Sequence, residues 1–220
     1  MKKSFWLLVL LPGLLWAGLS QLDFTQARQS IMDVYGEKAG QRFDRWQQLI
    51  ESNQSRPEAM QLQLVNQFFN QFFFIDDIKL WRQNDYWATP LEFIGADGGD
   101  CEDFAIAKFF TLLALGVPEQ KMRITYVKAL SVNQYHMVLA VYPTPNSVPF
   151  ILDNLIPDIR RADQRTDLLP IYSFNGKQLW LSKSKGSGQL VGDSGRLKRW
   201  KDLQGRFGVN HLNKPSIKLD

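Results

Sequence analysis

From Phe24 to about Ile50 the apolar positions recur every three to four residues, through Ile31, Val34, Tyr35, Phe43, Trp46, Leu49 and Ile50, the interval of an amphipathic helix. Gly36 and Gly40 interrupt the run, which predicts two helices rather than one. After a polar turn, Pro57 suits the first turn of the next helix, which Met60, Leu62, Leu64, Val65, Phe68, Phe69 and Phe72 carry to about Phe74. The aromatic run Phe72-Phe73-Phe74-Ile75 reads as core packing. Asp76 to Gly99 keeps no period and reads as loop with short pieces. A further helix starts near Cys101 and stops before Gly116, with Pro118 just beyond. It is apolar almost all round, Lys108 being its one basic residue, so it belongs in the middle of a domain.

Past this helix the period falls to two. Arg123–Leu130, Gln134–Tyr142 and Pro149–Leu155 read as an antiparallel meander, and Ile171–Leu181 as a hairpin around Asn175-Gly176. Ser182–Gly195 is rich in Gly, Ser and Lys and reads as an exposed loop; the remainder, with Trp200, Phe207 and His211, shows no assignable pattern. Helices followed by strands predict an α+β domain, N-terminal helices and a buried helix bearing the cysteine packed on an antiparallel sheet.

The first residues stand apart from this pattern. Met1-Lys2-Lys3 precede an apolar run from Phe5 to Ala17, and small residues follow at Ala17, Gly18 and Ser20. This is the layout of a secretory signal peptide, residues 1–20, with cleavage between Ala17 and Ser20. The run falls short of the roughly 20 residues that a spanning helix needs. Residues 21–220 then form one soluble domain in a periplasm-type compartment, without direct membrane insertion. One cysteine excludes a disulfide framework and multi-thiolate metal sites; two histidines exclude a three-histidine centre. Net charge is +4, part of it in Lys2 and Lys3, so the charge implies no nucleic-acid partner.

Three features converge on Cys101. It opens the buried helix, with Asp100 placed as N-cap and Asp103 at the capping-box distance. Free N–H groups and the positive end of the dipole there favour a thiolate. Gly98-Gly99 just before it permits a sharp turn and close approach of a substrate chain. His136 lies on a strand that packs against this helix, sharing a face with Val138, Ala140 and Tyr142, while Asp153 shares one with Ile151 and Leu155. If both faces meet the helix, Cys101, His136 and Asp153 become nucleophile, base and orienter, with the Cys101 N–H as one oxyanion donor and the second from the Trp81–Trp87 loop. The plainer alternatives are a small core hydrophobe, a structural histidine and a strand-end aspartate. Asp97, Asp100, Glu102 and Asp103 put four carboxylates within seven residues. They repel one another and disfavour a thiolate, a conflict that a hard cation such as Ca2+ relieves.

These residues also resemble a known family. Gly98 through Lys108, Leu115-Gly116-Val117-Pro118, Tyr135-His136-Met137-Val138 and Leu152-Asp153-Asn154 are similar to the bacterial transglutaminase-like cysteine proteases, over about Trp87 to Trp180. The resemblance implies a papain-like site on a transglutaminase-type core, with Cys101, His136 and Asp153 catalytic. It also implies calcium dependence, with Asp100 and Glu102 as ligands, to which the charge argument adds Asp103. Its further implications are cleavage of the N-terminal region of a large repeat-type surface adhesin at a paired-alanine site, release of that adhesin to promote biofilm dispersal, and sequestration by a LapD-type inner-membrane cyclic di-GMP receptor. The same three residues serve a transglutaminase or another amide hydrolase, and a calcium-binding interaction module without chemistry is the alternative of a different class. The exposed aromatics and the Ser182–Gly195 loop are candidates for substrate or receptor contact.

Overall fold

The computed structural model describes residues 23–182 and 188–219. The predicted signal peptide, and positions 183–187 of the predicted loop, lie outside the described residues. Three helices open the described chain: α1 (Phe24–Tyr35), α2 (Glu37–Asn53) and α3 (Glu58–Phe69). Asp23 caps α1 by accepting the Thr25 and Gln26 N–H groups. The break falls at Gly36, whose φ of 96° suits a residue without Cβ. Gly40 is instead inside α2, where a Cβ would come within 2.7 Å of Met32 Cγ, so it permits helix contact rather than ending a helix.

The third helix also stops earlier than its hydrophobicity predicts. Asn70 is its C-cap, and Phe73–Phe74 form a short strand, β1, parallel to β2 (Gly98–Gly99). Phe73 and Phe74 are each 55% exposed, which corrects their assignment to the core: the chain has become extended there, and of the run Phe72 and Ile75 still pack against the interior. Between β1 and β2 lie α4 (Asp77–Leu80) and α5 (Pro90–Ala96), the second opened by a Thr89/Glu92 capping box with Pro90 at its first turn.

Helix α6 (Cys101–Ala114) packs between α3, α5 and the sheet. Ile106, Phe109, Phe110 and Leu112 are at most 1% exposed, and each such side chain contributes about 1.5–3 kcal/mol by leaving water. Trp46 Nε1 on α2 donates to Thr111 Oγ1 at 2.8 Å, tying the N-terminal helices to α6. The sheet is antiparallel, in the order β6-β5-β4-β3-β7-β8-β9. Its strands are β3 (Met122–Ala129), β4 (Gln134–Val141), β5 (Phe150–Leu152), β6 (Arg160–Arg161), β7 (Leu168–Phe174), β8 (Gln178–Leu181) and β9 (Gln189–Asp193).

Strand β9 corrects the reading of Ser182–Gly195 as loop throughout: Gln189 and Leu190 pair with Leu181 and Trp180, so main-chain pairing at the sheet edge overrides weak local propensity. The C-terminal stretch forms α7 (Lys198–Gly205), which stacks Trp200 on Phe110 with centroids 5.8 Å apart. No helix among the described residues is long and apolar enough to cross a membrane.

Candidate active site

Cys101 is the first residue of α6 and is half-buried. Asp103, fully buried, holds the approach to it: its Oδ1 accepts the Ala88 N–H at 2.7 Å and its Oδ2 the Asp100 N–H at 3.3 Å. The two glycines before Cys101 serve close packing within the fold. A Cβ on Gly98 would lie 2.2 Å from the Phe73 carbonyl oxygen, and one on Gly99 2.2 Å from Asp103 Oδ2.

On the sheet side, His136 and Asp153 are brought together. His136 Nε2 lies 2.7 Å from Asp153 Oδ1, both side chains buried. Burial alone would raise the Asp153 pKa, but the His136 hydrogen bond and charge, the Leu155 N–H and the Arg165 guanidinium outweigh it and hold the acid at about 2. An ionised Asp153 accepts, so His136 donates through Nε2, leaving Nδ1 as the nitrogen free to exchange a proton elsewhere. Arg165 Nη2 reaches Asp153 Oδ2 at 2.8 Å and Asp167 Oδ2 at 2.8 Å.

The strand-face argument needs correcting. Met137, Leu139 and Val141 enter the main core with α6, whereas Val138 and Ala140, which share the face of His136, pack with Val127 and Ile151 in a separate cluster. Alternate residues of a strand point to opposite faces, and the helix takes the odd-numbered ones. Cys101 meets β4 through the main chain instead: the Met137 N–H, one residue from His136, faces the sulfur and favours its thiolate. This is possible because β5 pairs with β4 only at Leu139–Val141. The edge beside Met137 is left to the start of α6.

On the helix side acids dominate, with Arg199 paired to Asp85 at 3.0 Å. Cys101 Sγ donates to Glu102 Oε2 at 3.1 Å. Burial, then Glu102 and Asp100, push the thiol pKa well above its ordinary value. Ligand atoms within 4.8 Å of one another group Asp100 with Cys101 and Glu102, Asp77 with Asp100 and Asp103, and Asp77 with Asp85 and Glu102. Burial and the neighbouring acids raise Asp77 to about 7 and Asp100 to about 12. Asp77 Oδ1 and Asp100 Oδ1 are buried with no hydrogen-bond partner. Orphaned, clustered carboxylate oxygens are the donor set of a hard divalent cation, so the residues fit one. Sequence reasoning missed Asp77 and Asp85; their only signal was an aspartate at each end of the segment Asp77–Asp85, which the short helix α4 opens. Asp97, by contrast, caps α5 in a left-handed conformation and pairs with Arg42 at 3.5 Å. Arg165 carried no signal at all.

With this geometry in place, comparison with known proteins is informative. The model of the bacterial transglutaminase-like cysteine proteinase family, BTLCP, matches residues 38–183. The chain belongs to this family. It is a cysteine protease on an α+β, transglutaminase-like core. Among solved structures it is similar to Legionella pneumophila LapG, at 45% identity and a TM-score of 0.75 over 84% of this chain and 96% of that one. The EGTA-treated form of LapG gives 44% identity, a TM-score of 0.75 and 98% of its own chain covered. The calcium-bound form gives 45%, 0.73 and 99%, each again over 84% of this chain. Among curated proteins none matches.

Proposed function

We propose that the chain is a calcium-dependent periplasmic endopeptidase that cleaves the N-terminal region of a large surface adhesin at a paired-alanine site, releasing it and promoting biofilm dispersal under the control of a LapD-type cyclic di-GMP receptor. The observation that carries the chemistry is the buried His136–Asp153 pair beside the strand edge on which Cys101 rests. Likeness to LapG over nearly its whole length, in EGTA-treated and calcium-bound forms, supports the protease and the calcium dependence; the adhesin and the receptor follow from the family resemblance.

In the proposed mechanism the Cys101 thiolate attacks the scissile carbonyl. His136, charged, protonates the leaving amine through Nδ1, then as neutral base activates the water that hydrolyses the thioester. Asp153 holds the ring by its Nε2–H and stabilises the imidazolium. The Cys101 N–H, lacking an intrahelical partner at the first helical position, points to the oxyanion. Asp77, Asp85, Asp100 and Glu102 would hold Ca2+, with Asp103 bracing Asp100 from behind. When bound, the ion offsets the carboxylate charge that disfavours a thiolate at Cys101. Glu102 stands in both environments, as thiol acceptor and as member of the acidic group.

The test is cleavage of an N-terminal fragment of a repeat adhesin by purified protein with calcium present, followed by mass spectrometry. Wild type should cut at one site, Cys101→Ala should fold and not cut, and a chelator should stop wild type. Cross-linked products, or cutting by the Cys101→Ala protein, overturn the reading.

A further inference from the structure

Asn70, which ends α3, stands between the two elements that carry the site. Its Nδ2 donates to the main-chain oxygen of Asp153 at 2.8 Å, and its Oδ1 accepts from Lys108 Nζ at 2.7 Å. One turn earlier on α3, Asn66 Nδ2 donates to the main-chain oxygen of Pro157, also at 2.8 Å. Residues four apart lie on one side of a helix, so two amides of α3 grip both ends of the segment from Asp153 to Pro157. That segment bears the acid bonded to His136.

Lys108 belongs to α6, about two turns beyond Cys101. It is 1% exposed in a helix that is otherwise almost wholly apolar. A buried ammonium is costly unless it is paired, and a methionine would fill the same space without that cost. Packing therefore does not explain a lysine here, whereas its hydrogen bond to Asn70 does: it ties the nucleophile's helix to the amide that holds the Asp153 main chain.

We propose that Lys108, Asn70 and Asn66 form a clamp that sets the Asp153 segment at a fixed distance from the helix of Cys101, making them positioning residues for the His136–Asp153 pair. The proposal rests on the catalytic assignment above. It accounts for a buried polar chain that crosses from α6 to the sheet behind the reacting groups and touches none of them.

Asn70→Asp separates this role from simple satisfaction of a buried lysine. The aspartate keeps an oxygen, now charged, for Lys108 but turns an acceptor toward the Asp153 carbonyl in place of a donor. Lys108→Met removes the ammonium at nearly constant volume. Two readouts apply, both with calcium present: the proton resonance of His136 Nε2–H, displaced downfield by its bond to Asp153, and the rate of Cys101 alkylation by iodoacetamide near neutral pH. Both variants should shift or broaden the resonance and slow alkylation about ten- to a hundredfold, while Asn70→Asp keeps a cooperative thermal transition. A wild-type resonance and rate in folded Asn70→Asp would overturn the clamp. If Lys108→Met does not fold, Asn70→Asp alone decides. Wild-type Cys101 that reacts no faster than free cysteine would instead sink the catalytic assignment, and the resonance would still report on the clamp.

Discussion

Asp153 and Asp77 are buried aspartates on opposite flanks of Cys101, yet one is held at about 2 and the other is raised to about 7. Burial pushes both upward. Around Asp153 it is overcome by His136, the Leu155 N–H and Arg165, so its oxygens are filled by donors. Around Asp77 the Tyr86 N–H is the opposing donor, while Glu102 and Asp85 add to the burial and Oδ1 is left without a partner. The sheet flank is thus complete within the polypeptide, whereas the helix flank keeps carboxylate oxygens without partners, which the proposed cation would fill. Pre-organisation of the first and the proposed metal dependence of the second follow from the same rule, that buried charge must be paired.

The largest effect that would break this contrast comes from the complete flank. Asp153→Ala removes the orienter of His136 and strips a buried partner from Arg165. Turnover should fall about a thousandfold or more, and stability by about 3 kcal/mol in urea unfolding, as for other buried pairs broken on one side. Calcium should not restore either. Rescue by calcium would mean that the two flanks are not separate.

Next in size is removal of the cation. A ligand at a hundred times its dissociation constant adds about 2.7 kcal/mol of stability, so chelation should lower the thermal midpoint of the wild type clearly. Asp77→Asn should abolish that calcium response. An unchanged midpoint on chelation, with no calcium heat in calorimetry, would leave the orphaned oxygens of the helix flank without a cause.

The helices and most strands were legible because each buries a periodic face. The placement of Cys101 was legible too, since a cysteine between Asp100 and Glu102 at the start of an apolar helix is a local pattern. The route from Cys101 to β4 was not. It depends on β5 stopping at Leu152 and leaving a strand edge open, a matter of tertiary pairing that residue parity cannot report. Asp77, Asp85 and Arg165 were missed for the same reason: each lies in a short or irregular segment, where no period marks which side chain turns inward.

A smaller effect distinguishes the flanks by pH. Lys108, facing Asn70, the Asp153 segment and the Phe104 ring, is lowered to about 7 by burial, against which Asp153 acts. Between about 7 and the ordinary lysine value near 10.5 the unfolded chain binds this proton and the folded chain does not. Stability should therefore rise with pH across that window, and Lys108→Met should flatten the rise. Asp153, lowered as well, acts with the same sign in a separate acidic window: its contribution is present above the ordinary aspartate value and is lost as pH falls towards about 2. Urea midpoints of both proteins at a series of pH values check the difference, and parallel curves would show that Lys108 titrates as if exposed.

The smallest predicted effect settles whether Asp103 belongs with the metal or with the scaffold. It falls in the group of Asp77 and Asp100, yet its oxygens already accept the Ala88 and Asp100 N–H groups. Asp103→Asn keeps one acceptor and turns an amide donor toward the other N–H. The loss should be about 1 kcal/mol, the usual value of a helix-capping bond, equal with and without calcium because the bonds lost are main-chain ones. Calcium affinity measured by calorimetry should stay close to wild type. A drop as large as that from Asp77→Asn would place Asp103 among the ligands, and the helix flank would then draw five carboxylates, rather than four with a capping residue behind them, from the turn that begins at Asp100 and the segment from Asp77 to Asp85.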